Sequence, residues 1–233
     1  HDAAQRLREE LGVRPSARLE AAYAAAHRLL RGARGTLTIA YADSGQGEVA
    51  HATWGDGPET IVVLWGMVSN LEVAVDEPRA RALLDRLAQR HRIVMLDRRG
   101  TGLSERVRVV ADAASGARDI VATLDHLGIE RAWLFGSSVG GTIALDFALR
   151  HPERMAGLLL FGTSACGAWS PDWPWALKRE AFDDWVARLT EPALYDDSLR
   201  RFAPSAAGEP AVQAWYARLL RNAASRRGAV ASL

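Results

Sequence analysis

The chain is poor in cysteine, and it has no surplus of charge of either sign. Cys166 is the only cysteine among 233 residues, so no disulfide can form within the chain. The 29 basic residues nearly balance the 28 acidic ones, which excludes the global positive field that draws proteins to nucleic acids or anionic membranes. We therefore expect no direct nucleic-acid contact and no reactive role for Cys166, which lies in no recognisable catalytic motif.

Long hydrophobic runs are also missing. No apolar stretch approaches the length of about 18 residues that a membrane-spanning helix needs, and the N-terminus lacks the pattern of a signal peptide. These absences predict a cytoplasmic protein that makes no contact with a membrane. Hydrophobic residues still make up 48% of the chain, which is enough to bury a sizeable core.

The first 33 residues have the composition and spacing of a helix pair. The segment "AAQRLREELG" has apolar residues at helical spacing and ends on Gly12. Ser16 can cap a second helix, "ARLEAAYAAAHRLLRG", which closes at Gly32. We predict a helical segment over 1–33 and a domain boundary near 33–36.

From residue 36 onwards the sequence alternates between strands and helices. "TLTIAYA" and "EVAHATW" have the period-two pattern of strands, and the apolar runs that follow are typical of strands buried on both faces. Buried strands are predicted at 60–66, 91–97, 131–137 and 155–163, and helices at 78–90, 117–128 and 142–151. Strand alternating with helix implies parallel pairing through right-handed crossovers. We therefore predict an α/β fold with a mostly parallel sheet and flanking helices.

After residue 164 this alternation gives way to a tract rich in tryptophan, with no strand pattern. Its tryptophans are Trp169, Trp173, Trp175, Trp185 and Trp215. We predict an incomplete helical cap over 165–233, on an α/β core that spans 36–164.

The pentapeptide "GSSVG" fits the G-x-S-x-G pattern, with Ser138 at the nucleophile position. A serine on a sharp strand-to-helix turn takes a strained backbone conformation, and glycines two residues to either side remove a steric clash there. The match falls where a buried strand ends and a helix begins, which is the context that the motif requires. We predict Ser138 as the catalytic nucleophile, Gly136 and Gly140 as the glycines of the elbow, and Ser137 as a packing residue.

The same turn predicts an oxyanion hole. The backbone N–H of Val139 lies at the positive end of the following helix, where it can stabilise an oxyanion. A second N–H is expected from the loop after an earlier strand, where Met67 follows Gly66 in "LWGMVSN". The alternative is an ordinary strand-to-helix turn with no catalytic role.

Four stretches of the chain resemble the α/β-hydrolase fold family. They are "WGMVSNLEVAVDEP", "DRRGTGLSER", "LFGSSVGGTIALDFALRHPERM" and "LLLFGTSA", in that order. More narrowly, they are similar to hydrolase domains fused to adenylate/guanylate cyclases and to bacterial transcriptional regulators. This resemblance covers about residues 36–233. Separately, "LREELGVRPSARLEAAY" (7–23) resembles the last helices of the bacterial transcriptional activator domain.

The resemblance implies roles for individual residues. Ser138 would be the nucleophile, and the amides of Met67 and Val139 would form the oxyanion hole. The loop 97–104 would border the active site, with Asp97 and Arg99 pinning its backbone. We predict neither a cofactor nor a metal site.

The sequence departs from the family in the other members of the catalytic triad. The family's chain order is Ser, then Asp or Glu, then His, but no histidine follows His151. His126 is expected at the far edge of the sheet from the elbow. Asp172, Asp183 and Asp184 would supply an acid only if the cap folded inward. We expect a fragment cut at both ends, whose acid and base lie outside it.

We predict a serine hydrolase that cleaves an ester, thioester or similar acyl bond of a small apolar substrate, through an acyl-enzyme at Ser138. The fragment itself is expected to be inactive. The alternative is a module of a transcriptional regulator that senses a small molecule, fused to a DNA-binding or signalling domain in the parent protein; the segment 1–33 motivates it. A third and weaker interpretation is a chain that ends naturally as a dead hydrolase. In a fragment, strand 155–163 would form an apolar sheet edge and lower the solubility.

Overall fold

The computed structural model describes residues 37–106, 112–167, 169–188 and 198–224. Its strands are β1 (Ile39–Asp43), β2 (Glu48–Trp54), β3 (Glu59–Leu64), β4 (His91–Leu96), β5 (Ala132–Ser137) and β6 (Met155–Phe161). Its helices are α1 (Leu71–Ala74), α2 (Pro78–Ala88), α3 (Ala113–His126), α4 (Val139–Arg150), α5 (Arg179–Arg188) and α6 (Pro210–Ala223). These elements belong to one unit, Thr38–Leu233, and the predicted helical segment over 1–33 lies outside the described residues.

The six strands form one sheet in the order β1-β2-β4-β3-β5-β6. The hairpin β1–β2 joins β4 in antiparallel fashion, whereas β4, β3, β5 and β6 pair in parallel. This confirms the predicted α/β class and the mostly parallel sheet. Because β4 and β5 lie on opposite sides of β3, the order in which successive strands join the sheet reverses at β3. The carboxyl ends of β3 and β5 therefore border the crevice where such sheets bind ligands.

The main core lies between the sheet and the helices α3 and α4. Residues of β3, β4 and β5 contribute apolar side chains, and α3 and α4 cover them with Ile120, Leu124, Ile143 and Phe147. The helix α3 begins four residues earlier than predicted because the Asp112 side chain caps it by accepting a hydrogen bond from the Ser115 N–H. No helix within the described ranges is both long and apolar enough to cross a membrane.

Helix α6 packs against loops that follow two strands of the sheet. The Trp215 indole donates a hydrogen bond of 2.7 Å to the carbonyl of Val73 in α1, and the Gly102 N–H donates to the carbonyl of Ala223 at 2.6 Å. The short helix α1 was not predicted, since four residues carry too little periodicity to be recognised. The predicted division between a core at 36–164 and a cap at 165–233 stays a prediction.

Strand β6 differs from the prediction of a strand buried on both faces. It pairs with β5 and forms the edge of the described sheet. Leu159 and Leu160 are each 44% exposed, and Phe161 is 69% exposed. The apolar run correctly predicted a parallel strand, but burial on both faces requires neighbours that a run of residues cannot specify. The related expectation, an exposed apolar edge, matches this part of the structure.

Candidate active site

Ser138 occupies a sharp turn between β5 and α4. Its backbone has φ 52° and ψ −125°, and it is the sole non-glycine residue with positive φ in the described part of the chain. A side chain in this region is strained, and such strain persists only where the surrounding structure imposes it. The turn leaves Ser138 exposed, whereas Ser137 before it is half-buried.

The glycines of the elbow allow two backbones to approach closely. A Cβ atom on Gly136 would lie 2.5 Å from the Gly141 Cα, and one on Gly140 would lie 2.3 Å from the Leu64 carbonyl oxygen at the end of β3. Neither position has room for a side chain, so both glycines are required for β3, β5 and α4 to meet at this point. This is the steric role that the motif predicted for them.

Gly141 and Thr163 also support the turn, and neither was predicted as a site residue. A Cβ on Gly141 would lie 2.4 Å from Thr163 Oγ1, and that hydroxyl donates a hydrogen bond of 2.6 Å to the Ser138 carbonyl. The Ser138 N–H in turn donates to the carbonyl of Phe161, at 3.1 Å. The doubled glycine in "VGGT" was the available signal for Gly141, whereas nothing local marks Thr163.

The two residues predicted as oxyanion donors, Val139 and Met67, lie at the start of α4 and in the loop after β3. Val139 is the first residue of α4, so its N–H has no acceptor within the helix. On the other side, a Cβ placed on Gly66 would lie 3.1 Å from the Ser138 Cβ and 3.5 Å from its Oγ. Met67 follows directly, and its N–H donates to no acceptor among the described residues. The loop after β3 thus approaches the Ser138 hydroxyl through Gly66, and Val139 adjoins Ser138 in the chain.

Asp97 holds two loops together at the end of β4. Its carboxylate accepts hydrogen bonds from the Leu71 N–H at 3.1 Å and the Leu103 N–H at 2.8 Å, and from the Ser69 hydroxyl. Burial raises the pKa of Asp97, although these hydrogen bonds act in the opposite direction. Its contacts with the loops are those of the predicted pinning role.

Arg99 pins the same loop from the other side. Its Nε lies 2.6 Å from the Asp119 carboxylate, its Nη2 donates to Ser115 Oγ at 2.7 Å, and its Nη1 donates to the carbonyl of Gln46 at 2.9 Å. The Arg99 and Asp119 side chains are 3% and 0% exposed, so this is a buried ion pair. Burial raises the pKa of Asp119 more than its partner Arg99 lowers it.

Three histidines of the described part have rings packed against other aromatic rings. His51 is buried and its ring centroid lies 5.1 Å from that of His126, in an edge-to-face arrangement. Burial, followed by the charges of His126 and Arg92, lowers the pKa of His51 to about 4. His151 packs on Phe147. The rings of His51 and His151 therefore pack within the structure.

No complete triad forms within the ranges that the structure describes. Over these residues, no histidine or carboxylate is hydrogen-bonded to the Ser138 hydroxyl. Of the acids considered in the cap, Asp183 forms an ion pair with Arg179 one turn earlier in α5, and Asp172 is exposed. The described site consists of the strained Ser138, the first amide of α4 and the loop that follows β3.

Residues 59–222 match the family described as alpha/beta hydrolase fold, and the chain therefore belongs to this family. Among curated proteins, two of the relatives to which the chain is similar are named as hydrolases. It is 41% identical over 81 residues to a 2-hydroxy-6-oxo-6-phenylhexa-2,4-dienoate hydrolase of Comamonas testosteroni, which covers 34% of this chain and 28% of the relative. It is 44% identical over 89 residues to a 2-hydroxymuconate semialdehyde hydrolase of Pseudomonas sp. (strain CF600), which covers 36% of this chain and 30% of the relative.

Solved structures resemble the fold over most of the chain. An esterase from Exiguobacterium antarcticum superposes with a TM-score of 0.67 at 24% identity, over 84% of this chain and 72% of that chain. A bromoperoxidase from Bacillus anthracis superposes with a TM-score of 0.68 at 18% identity, over 83% of this chain and 72% of that one. The matched segments span less than a third of the two curated relatives. The fold and the hydrolase family are thus defined, and the activity of the whole protein is a matter for proposal.

Proposed function

We propose that the protein is a serine hydrolase and that Ser138 is its nucleophile. The observation that carries the proposal is the backbone of Ser138, which has a positive φ at the junction of β5 and α4. Such strain in a non-glycine residue is retained where a reactive side chain must be presented at a defined angle. The names of the relatives, which are hydrolases, support the same class of reaction.

The proposed reaction is acyl transfer to the Ser138 hydroxyl. Oγ attacks the carbonyl carbon of an ester, thioester or similar acyl substrate, and the carbonyl oxygen becomes an oxyanion beside the amides of Met67 and Val139. Collapse of this intermediate expels the alcohol or thiol and leaves an acyl-enzyme, which water then hydrolyses to the acid. The exposed aromatic residues after β6, such as Trp169 and Trp175, favour a small apolar substrate.

The reaction also needs a group that takes the proton from Ser138. Since no described histidine or carboxylate contacts that hydroxyl, we expect the 233-residue chain alone to turn substrate over slowly or not at all. Enzymes that lack a triad member retain only the contribution of the oxyanion hole and of substrate binding. The alternative function is a ligand-sensing module of a regulator. It rests on the lack of a described histidine or carboxylate at the Ser138 hydroxyl, together with the segment 1–33 outside the described residues. A cytoplasmic location stays a prediction.

Labelling with a fluorophosphonate probe tests the nucleophile. The 233-residue chain and the full-length product of its gene are treated with the probe, and the modified peptide is identified by mass spectrometry. We expect labelling of the full-length product, its loss in Ser138→Ala and its retention in Ser137→Ala. The second variant is a matched control because it removes the same hydroxyl from the adjacent position. Labelling that survives Ser138→Ala would refute the assignment, and a full-length product that binds acyl ligands without being labelled would favour the sensor.

A further inference from the structure

Arg98 is a buried cation that forms no ion pair with any of the described residues, and it lies beside the loop that approaches Ser138. Its side chain belongs to a residue that is only 2% exposed, and its Nη2 donates a hydrogen bond of 3.2 Å to the carbonyl oxygen of Gly66. Nε and Nη1 are buried and have no acceptor among the described residues. Burying a guanidinium that is not fully paired costs free energy, so the position of Arg98 calls for an explanation.

The neighbouring acids do not neutralise Arg98 by direct contact. Asp119 is bound to Arg99, and Asp97 accepts hydrogen bonds from Ser69 and from two backbone amides. Burial lowers the pKa of Arg98 to about 10, against the effect of both acids, so the side chain stays protonated at neutral pH. Its positive charge is therefore directed at the Gly66 carbonyl.

The Gly66 carbonyl and the Met67 N–H are the two ends of one peptide group. A trans peptide is planar, with its C=O and N–H pointing in opposite directions, so a donor that fixes the oxygen also fixes the direction of the hydrogen. A charged donor on the oxygen further polarises the peptide, which makes its N–H a stronger donor. The N–H of this peptide is the predicted oxyanion donor next to Ser138.

We propose that Arg98 is a positioning residue that orients and polarises the Gly66–Met67 peptide of the oxyanion hole. This rests on the proposed function, since an oxyanion hole has a role only if Ser138 carries out acyl transfer. Arg98 does not touch the substrate in this proposal; it acts through the Met67 N–H. The competing role for the same guanidinium is a binding site for an anionic group of the substrate, and the two roles predict different kinetics.

The kinetic test compares Arg98→Met, Arg98→Gln and Arg98→Lys in the full-length product of the gene. Substrates are neutral p-nitrophenyl acetate and mono-p-nitrophenyl glutarate, which carries a carboxylate. Loss of one oxyanion donor lowers kcat by about 100- to 1,000-fold, so we expect roughly 10- to 100-fold loss of kcat on both esters when a donor is misplaced but not removed. KM should change by less than about threefold, and Arg98→Lys should restore part of kcat because an ammonium can still donate to Gly66.

Arg92→Met is the matched control for these variants. Arg92 lies at the beginning of β4, at the opposite end of the strand from Arg98, and its replacement makes the same chemical change away from the elbow. Its kcat should stay within about twofold of the unmodified protein. A rise in KM confined to the carboxylate ester in the Arg98 variants would overturn the proposal in favour of anion binding. An unchanged kcat on both esters would also overturn it.

The chemical shift of the Met67 amide nitrogen gives a readout that does not depend on catalysis. A hydrogen bond to the preceding carbonyl deshields this nitrogen, so Arg98→Met and Arg98→Gln should each move the Met67 resonance upfield, while Arg92→Met leaves it in place. Both Arg98 variants must keep the dispersed spectrum of a folded protein. Where only one of them does, that variant carries the test, and Arg98→Lys, which can still donate to Gly66, should leave the Met67 resonance near its original position. A Met67 resonance that does not move refutes the proposal. A resonance that moves in a protein whose Ser138 resists the probe supports the positioning contact and refutes the proposed function instead.

Discussion

Strands β3 and β6 are both largely apolar but have opposite surroundings. Both are apolar, both run parallel to β5, and both end beside Ser138. In β3, Val62 and Leu64 are 0% and 1% exposed, because β4 and β5 flank the strand and helices cover it. In β6, Phe161 is 69% exposed. The difference shows that the side chains on the β3 side are packed in the core, where little can change without cost, whereas the Phe161 side chain at the end of β6 is open to solvent.

The largest expected effect comes from placing a methyl group between β3 and α4. In Gly140→Ala the new Cβ would lie 2.3 Å from the Leu64 carbonyl oxygen, so either the strand or the helix must move. We expect a loss of about 3 to 5 kcal/mol in the free energy of unfolding, measured by urea denaturation, since backbone displaced in a packed core is among the few mechanisms that cost so much.

Gly208→Ala is the control for this substitution. Nothing lies within 4 Å of the added Cβ and the position has no left-handed φ, so the expected change is within about 0.5 kcal/mol. Equal losses in the two variants would contradict the view that the close approach of β3 and α4 makes Gly140 necessary.

A smaller effect is expected from the buried histidine in β2. Burial lowers the pKa of His51 to about 4 from an ordinary value of 6.5. The unfolded chain therefore takes up a proton first as the pH falls from 6.5 towards 4, and stability is lost over that window, by at most about 3 kcal/mol. Above pH 6.5 both states hold a neutral ring, and this contribution to stability is fully present.

His51→Leu should remove this part of the pH dependence. The difference in unfolding free energy between the variant and the unmodified protein should grow in favour of the variant as the pH falls from 7 to 4.5. The buried acids Asp97 and Asp119, whose pKa values burial raises, give the opposite slope in both proteins and cancel in the difference. His91→Asn, at a partly buried histidine, is the control. If the unfolding free energies of His51→Leu and of the unmodified protein changed in parallel with pH, His51 would not be the source of this pH dependence.

The smallest change in stability is expected at the exposed edge. Leu159 and Leu158 are neighbours on opposite faces of β6; Leu159 is 44% exposed, whereas Leu158 packs against the main core. Leu159→Lys should alter the free energy of unfolding by less than about 1 kcal/mol and raise the soluble concentration, because a charge on an edge strand opposes edge-to-edge association. Leu158→Lys should cost at least about 2 kcal/mol, since it forces a charge towards the core. Sedimentation measures the soluble concentration, and urea unfolding measures the free energy of unfolding. A loss of unfolding free energy in Leu159→Lys as large as that in Leu158→Lys would mean that the edge is packed.

Strand β2 has the bounds predicted from the sequence, and the other strands lie within three residues of their predicted bounds. Their periodicity is local, and each apolar run is bounded by turn residues. Helix α4 begins at Val139 and not at 142 as predicted, because the glycines at 140 and 141, which usually interrupt a helix, are needed here for close packing. Thr163 was missed because its bond to the Ser138 carbonyl spans 25 residues, and Arg98 was read only as part of a loop motif.

The sequence by itself determined the α/β class and the position of the strained serine. Both follow from local patterns: alternating strand and helix periods in the one case, and glycines at fixed offsets around Ser138 in the other. Only the tertiary structure decided that β6 lies at an edge, that His51 is buried against His126, and that Arg98 holds the Gly66 carbonyl. These features depend on which segments become neighbours after folding, and neither residue order nor composition encodes such distances directly.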